Sequence, residues 1–222
     1  MDGYADAGPT HYATEDLACL RAIINAHVLI ASDGEVARYL AIDAIARPRL
    51  SFVRLDRHAG DDLSPRAQLA DVRRGFRVMR NGYRLAVVSH GFMLGRALDV
   101  VVQEADFADV AVIDLIQVKP MPAELIEYLS NCEAVLTIEE QTPSGGLAAA
   151  VLEAMADRGL TRPFYRLALP ERYFFENGGR NRLLEIAKLS PHDIAGKIRS
   201  ILIPPEIVSR IVLTSAARPS LV

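Results

Sequence analysis

From Arg84 onward, short apolar runs alternate with amphipathic stretches long enough to be helices, and this alternation leaves few folds open. A run to Ser89 is followed by a helical pattern from Phe92. The same pair then recurs: a run over Val110 to Ile116 and a helix from Pro122, then a run over Ala134 to Glu139 and a helix from Gly146. A further run over Phe164 to Leu169 and two short helices, from Arg180 and from Pro191, complete the pattern. Strands joined through helices return to the same end of a sheet, so they run parallel, and their helices cover both faces. The predicted fold class is α/β with a mainly parallel, helix-covered sheet.

The region upstream reads the same way over a shorter span. Leu17, Leu20 and Ile24 fall at i, i+3 and i+7, with Glu15 and Asp16 in the first turn, where the helix dipole favours acids. The spacing predicts a helix over Thr14 to Ile24, with Thr14 as its N-cap. A strand is expected over Ala26 to Ala31, a turn at Ser32-Asp33-Gly34, a helix from about Glu35 that stops before Pro48, and a strand over Leu50 to Leu55 ending in Asp56-Arg57-His58. Composition then shifts to Gly, Asp, Pro and Arg, with Arg66, Arg73, Arg74, Arg77, Arg80 and Arg84 close together. That stretch is expected to be a solvated linker. The predicted units are residues 1–57, a linker over 58–82, a second unit over 83–203, and a tail over 204–222 in which Glu206 to Leu213 is a candidate last element.

Bulk properties narrow the function. The chain has 222 residues, half of them hydrophobic, and 25 Lys and Arg against 28 Asp and Glu. A net charge of −3 makes no field that would gather nucleic acid, so no nucleic-acid partner is expected. The longest apolar runs fall far short of the roughly 18 to 20 residues that span a bilayer. The opening Met1-Asp2-Gly3-Tyr4 lacks the basic and apolar regions of a signal peptide. A cytoplasmic protein with no membrane partner is expected. Cys19 and Cys132 stand alone, without metal spacing, and are expected as buried, reduced thiols.

Several segments, in order, resemble one family. The stretch GPTHYATEDLACLRAI, opening on Gly8-Pro9-Thr10-His11, resembles a segment of the pyrimidine-binding domain of transketolases and deoxyxylulose-phosphate synthases. Ala31-Ser32-Asp33 is similar to that family's next turn, and Ser51 to Arg57 to its strand ending in an arginine. Val135 to Gln141 with Gly145-Gly146, then Pro170 to Phe174 and Gly178 to Leu184, resemble its C-terminal domain. The resemblance implies that residues 1–57 are the latter part of a thiamine-diphosphate pyrimidine-binding domain and 83–203 a transketolase-type C-terminal domain. It implies the C-terminal subunit of a split enzyme that transfers a two-carbon ketol or related acyl unit on thiamine diphosphate with Mg2+, inactive alone. The family's activating glutamate, its stacking aromatic and its diphosphate and metal motif match nothing in this chain. The cofactor is therefore expected to be bound mainly by partner chains that supply the diphosphate-binding domain and the first part of the pyrimidine domain, in a heterotetramer or larger assembly.

The same resemblance nominates residues. His11 matches a histidine close to the reactive cofactor carbon and the substrate, which makes it the candidate catalytic and cofactor-contacting residue; an imidazole can donate to a sugar oxygen or move a proton near neutral pH. Arg57 matches an arginine that holds substrate phosphate, with Thr10 and Arg54 as further candidate substrate contacts. No residue of this chain is expected to ligate the metal. One departure bears on substrate: the family's aspartate before GPTH is Ala7 here, and the nearest acid is Asp6. Two other readings are a non-catalytic dimerisation or docking module and a nucleotide-binding α/β domain. The second rests on Ser89-His90-Gly91 with Gly95 and Asp114, which lack the GxGxxG spacing. Glu139 and Glu140, adjacent and so on opposite faces of a strand, are expected at a domain or subunit interface, and Tyr173, Phe174 and Phe175 in packing.

Overall fold

The computed structural model describes residues 7–57, 62–63 and 65–203, and the expected element at Glu206 to Leu213 lies outside them. The alternation after Arg84 folds as predicted. Strands β4 (Leu85–Ser89), β5 (Val110–Leu115), β7 (Val135–Ile138) and β8 (Phe164–Leu167) form a parallel set in a five-stranded sheet of order β3-β5-β4-β7-β8, with β3 (Phe76–Arg80) antiparallel to β5. Every residue of β4, β5 and β7 is buried. Helix α4 (Gly91–Gln103) covers one face together with α7 (Gly179–Ile186) and α8 (Pro191–Leu202), placing Met93, Leu94, Leu183 and Ile198 against Val87, Val112 and Leu136. Helices α5 (Ala123–Ser130) and α6 (Leu147–Asp157) cover the other, with Leu125, Leu129 and Val151 against Ala86, Val88 and Ile113.

The N-terminal part makes a separate three-stranded sheet of order β2-β1-β6. Strands β1 (His27–Ile30) and β2 (Ser51–Arg54) are parallel, and β6 (Gln117–Lys119), which follows β5, is antiparallel to β1. One face carries Leu29 and Ala31 and packs on α2 (Gly34–Ala46) and α3 (Leu69–Arg74) through Val36, Leu40 and Val72. The other face carries Val28 and Ile30 and shares a core with the α5 and α6 side of the larger sheet, joined there by Leu17 of α1 (Asp16–Arg21). The small sheet thus leans on the large one.

Three expectations need correction. Residues 69–80 are not plain linker: they hold α3 and β3, and two of the arginines that suggested solvent, Arg77 and Arg80, are held inside the fold, while Arg66, Arg73 and Arg74 are exposed as expected. Arg77 is 2 % exposed, and Arg80 donates to the carbonyls of Phe107 and Val110 at 2.8 and 2.6 Å. The junction is Gly75, with φ of 87°, where a Cβ would stand 2.7 Å from Pro122 and 2.9 Å from Gln117. Helix α1 is capped one residue later than expected, at Glu15, and ends at Arg21 rather than Ile24, while the Thr14 hydroxyl donates to the Glu15 carboxylate and so is not the N-cap. Cys19 is exposed because it lies on the side of α1 away from Leu17; Cys132 is buried as expected.

Candidate functional site

The family-like segment Gly8-Pro9-Thr10-His11 forms a single 3-10 turn over Pro9 to His11, entered through Gly8 at a φ of 79°. Thr10 and His11 are both exposed, and the Thr10 hydroxyl lies 2.9 Å from Nδ1 of His11, which orients the ring. The next residue, Tyr12, is buried in the same core as Phe174 and Leu169, so the turn is anchored to the larger domain. Asp6 lies outside the described residues; Ala7 is exposed.

Strand β2 ends beside this turn. Nε of Arg54 donates to Asp16 at 2.7 Å and another of its nitrogens to the carbonyl of Ala13 at 3.3 Å, which ties the end of β2 to the start of α1. With its side chain 13 % exposed and so engaged, Arg54 has the geometry of a strut that sets where the His11 turn sits relative to β2. Arg57, three residues on, is exposed. Its neighbour Asp56 is held at 2.7 Å by Arg180 of α7, whose guanidinium also binds Glu140 and stacks 3.8 Å from the centre of the Phe92 ring. The C-terminal domain therefore reaches the loop that carries Arg57 through one arginine. Its desolvation opposes the charge, but Glu140 and Asp56 together raise its pKa above the ordinary guanidinium value.

Glu139 and Glu140 were expected at a domain or subunit interface; Glu140 stands there, holding the Arg180 that reaches Asp56, whereas Glu139 is used inside the larger domain. The Glu139 carboxylate accepts from the backbone N–H groups of Leu147 and Ala148, capping α6 from the end of the preceding strand β7. Gly146 makes room, since a Cβ there would sit 2.2 Å from Oε2 of Glu139. Burial pushes the Glu139 carboxyl up to about 7 in spite of those two donors.

A second polar set joins the two sheets. Arg77 donates to Asp33 at 2.6 Å and to Asp114 at 2.9 Å, and all three side chains are at most 2 % exposed. Asp33 also caps α2 by accepting from the N–H of Val36, and Ser32 donates to Asp114 while accepting from the N–H of Gly91. Burial lifts the Asp114 carboxyl to about 6 against the pull of Arg77 and Ser32. Asp114, weighed as a ribose ligand, is a structural anion instead. The crevice where a doubly wound sheet would take a nucleotide lies between the carboxyl ends of β4 and β7, because the connections from those strands run in opposite directions. It is filled by the chain itself: Gly91 binds Ser32, and the N–H of Thr142 donates to the carbonyl of Thr14. His90, at this junction, is buried, and burial with the nearby charge of Arg54 drives its pKa down to about 3.

Sequence reasoning nominated His11, Thr10, Arg57 and Arg54 through the family-like motif and did not single out the buried ties of Arg77, Asp33 and Arg180. No local pattern could have flagged them, because their partners are 37, 44 and 40 residues away. Tyr173 and Phe175 are exposed while Phe174 is buried, so only the middle aromatic packs in the core. Among the described residues no group of three or more His, Cys, Asp or Glu could hold a metal ion, and no helix is long and apolar enough to cross a membrane.

Residues 75–194 match the family model described as transketolase, C-terminal domain. The 1-deoxy-D-xylulose-5-phosphate synthases of Burkholderia pseudomallei (strain 668) and Paraburkholderia xenovorans (strain LB400) are each 33% identical over 199 residues, 86% of this chain and 31% of theirs. The chain thus spans about a third of the length of the curated relatives it matches. Among solved structures, a split gene transketolase in an inactive β4 tetramer superposes with a TM-score of 0.74 at 27% identity, over 87% of this chain and 63% of that one. A transketolase of Pichia stipitis in complex with sedoheptulose 7-phosphate gives 0.71 at 18% identity, over 90% and 28%, a likeness of fold alone.

Proposed function

The chain belongs to the transketolase family through its C-terminal domain, and from that premise we propose that it is the C-terminal part of a thiamine-diphosphate-dependent transferase, acting on sugar-type substrates within a multi-chain assembly. Residues up to 57 are assigned to the latter part of the pyrimidine-binding domain. The observation that carries the reading is the pair of ties made by Arg54 and Arg180, which bring the His11 turn and the Arg57 loop to the same end of the small sheet. An exposed imidazole and an exposed guanidinium suit a cofactor-bound sugar phosphate. Following the family resemblance, the diphosphate and Mg2+ end of the cofactor is assigned mainly to partner chains.

Thiamine diphosphate, when bound, supplies the carbanion chemistry of a two-carbon ketol or acyl transfer. This chain holds and moves the substrate's protons. His11 donates from a ring nitrogen to a substrate oxygen or takes a proton from it, with Thr10 fixing the ring. Arg57 clamps the substrate phosphate with two donors of its planar fork. The assembly is supported by the split-gene relative solved as a tetramer and by the outer edge of β2, which no other strand pairs among the described residues and which is flanked by Leu50 and Leu55, each 60% exposed.

Kinetics of the chain co-expressed with a polypeptide carrying the rest of the cofactor site test the reading. His11→Ala should lower turnover by roughly 10²-fold or more with little change in cofactor affinity. Arg57→Ala should mainly raise KM for phosphorylated substrates and spare unphosphorylated ones. An unchanged rate in His11→Ala would remove the catalytic assignment.

A further inference from the structure

At the end of the small sheet away from His11, three arginines converge on one carboxylate. Asp43, on the last turns of α2, is 1 % exposed; it accepts from Nε and a terminal nitrogen of Arg47 at 2.7 and 2.8 Å and from Arg49 at 3.0 Å. Arg73 of α3 approaches to 3.7 Å, too far for a hydrogen bond. Three guanidinium groups against one carboxylate leave a surplus of two positive charges. Asp43 is fully served by Arg47 and Arg49, so Arg73 adds charge without adding a bond. The carbonyl end of α2 offsets only about half a charge.

Two further features lie beside the same cluster. Nε of Arg49 and Nδ1 of His27 are both buried and have no hydrogen-bond partner among the described residues. An unmatched buried donor costs about 1–3 kcal/mol, so a fold that keeps one beside excess positive charge is poised for an acceptor. His27 opens β1 and Arg49 precedes β2, whereas Arg54 closes β2. The cluster is therefore separated from the His11 turn by the length of a four-residue strand, about 13 Å. Burial, with Arg49 and Arg47 close by, holds His27 below its ordinary pKa, so it brings no third surplus charge at neutral pH.

We propose that Arg47, Arg49, Arg73 and His27 form a binding site for the phosphate group of a small molecule, distinct from the substrate end of the sheet. Nitrogens converging from α2, α3 and the starts of two strands suit a tetrahedral oxyanion better than a planar carboxylate, and a surplus of two charges matches a phosphate dianion. Arg47 and Arg73, 46 % and 51 % exposed, are the open side through which it enters. Arg49 and His27 are the floor.

The test is a titration of the full chain with inorganic phosphate at pH 7, following the Arg49 Nε and His27 ring resonances by NMR. Saturable shifts at both, with a dissociation constant of about 1 mM or below, are expected. Arg73→Gln, a half-exposed position that should not disturb folding, is expected to weaken binding by about tenfold, and Arg47→Gln by at least as much. Arg199→Gln, on the distant α8, should leave it unchanged. Shifts that stay linear to high phosphate, or an Arg73→Gln affinity equal to that of the wild type, would overturn the site. Binding of a polyglutamate peptide without binding of phosphate would also overturn it, and would identify the surface as one for an acidic protein segment.

Discussion

The five-stranded sheet and the three-stranded sheet of this chain reach burial by different means. In the large sheet, β4, β5 and β7 are buried along their whole length and helices seal both faces, so its order rests mainly on the hydrophobic effect, with the Arg77–Asp114 pair joining β3 to β5. The small sheet has two parallel strands whose outer member, β2, is only half-buried. It borrows its third strand, β6, from the chain beyond β5, shares its inner core with α5 and α6, and is fixed by the buried ions Asp33, Arg77 and Asp114. A region that cannot close its own core must be tied with polar groups. Two further ties, Arg54 to Asp16 and Arg180 to Asp56, hold the His11 turn and the Arg57 loop, so the part proposed to touch substrate is the part most dependent on its neighbours.

The largest expected effect is at Arg77. Replacing it with Met leaves Asp33 and Asp114 buried without their cation, and breaking such a pair costs about 3–5 kcal/mol. Urea unfolding of Arg77→Met measures the loss. Hydrogen exchange locates it: amides of β1, β2 and α2 should lose protection well before those of β4, β5 and β7. Equal loss in both sheets would break the comparison and make the chain one cooperative unit.

An effect of about 3 kcal/mol across pH 4 to 8 is expected from each of two buried titrating groups, with opposite signs. The folded chain holds the Glu139 proton up to about 7, whereas the unfolded chain releases it near the ordinary glutamate value. The native state thus binds more protons between those values, and the wild type should lose stability relative to Glu139→Gln as pH rises from about 4.5 to 7. His90 is the reverse case. Its folded pKa is about 3, so between about 3 and 6.5 the unfolded state binds more protons, and the wild type should lose stability relative to His90→Gln as pH falls through that window. Thermal melts of the three proteins between pH 4 and 8 check both slopes. Glu139 lies within the large domain and His90 at the junction with the small one, so only the His90 slope should appear in the protection of β1 and β2.

The same contrast decides what was legible in the sequence. The runs at Leu85–Ser89, Val110–Leu115 and Val135–Ile138 show themselves because a strand buried on both faces is mostly apolar, here interrupted only by Ser89, Asp114 and Thr137. β3 hid because Phe-Arg-Val-Met-Arg reads as a solvated stretch; Arg77 is paid for by acids 37 and 44 residues away, and distant partners leave no local trace. β6 hid because three residues are too few to show a period. The His11 turn and Arg57 were visible only through the family resemblance: an exposed histidine before a helix and an exposed arginine after a strand have no periodicity of their own. Glu139 and Glu140 were noticed as a pair, but neither the α6 cap nor the Arg180 contact could be inferred from adjacency.

The smallest expected effect sharpens the comparison most. The Ser32 hydroxyl donates to Asp114 and accepts from the N–H of Gly91, so one side chain at the end of β1 serves both the buried ion set and the first turn of α4. Ser32→Ala removes both bonds with almost no change in volume, and the Gly91 N–H at the start of α4 loses its acceptor. The expected cost is about 1–3 kcal/mol, that of a buried N–H left without its acceptor. Asp114 keeps Arg77, so no unpaired charge is created and folding should be spared. If the small sheet is held by polar ties, this modest loss should fall on exchange at β1 and α2 and leave Val87, Val112 and Leu136 as protected as before. If it is held by the core that Val28 and Ile30 share with α5 and α6, the two regions should respond alike, and Val28→Ala should then cost more than Ser32→Ala in both. Hydrogen exchange on the two variants side by side decides between a sheet that is tied in place and a sheet that is packed in place.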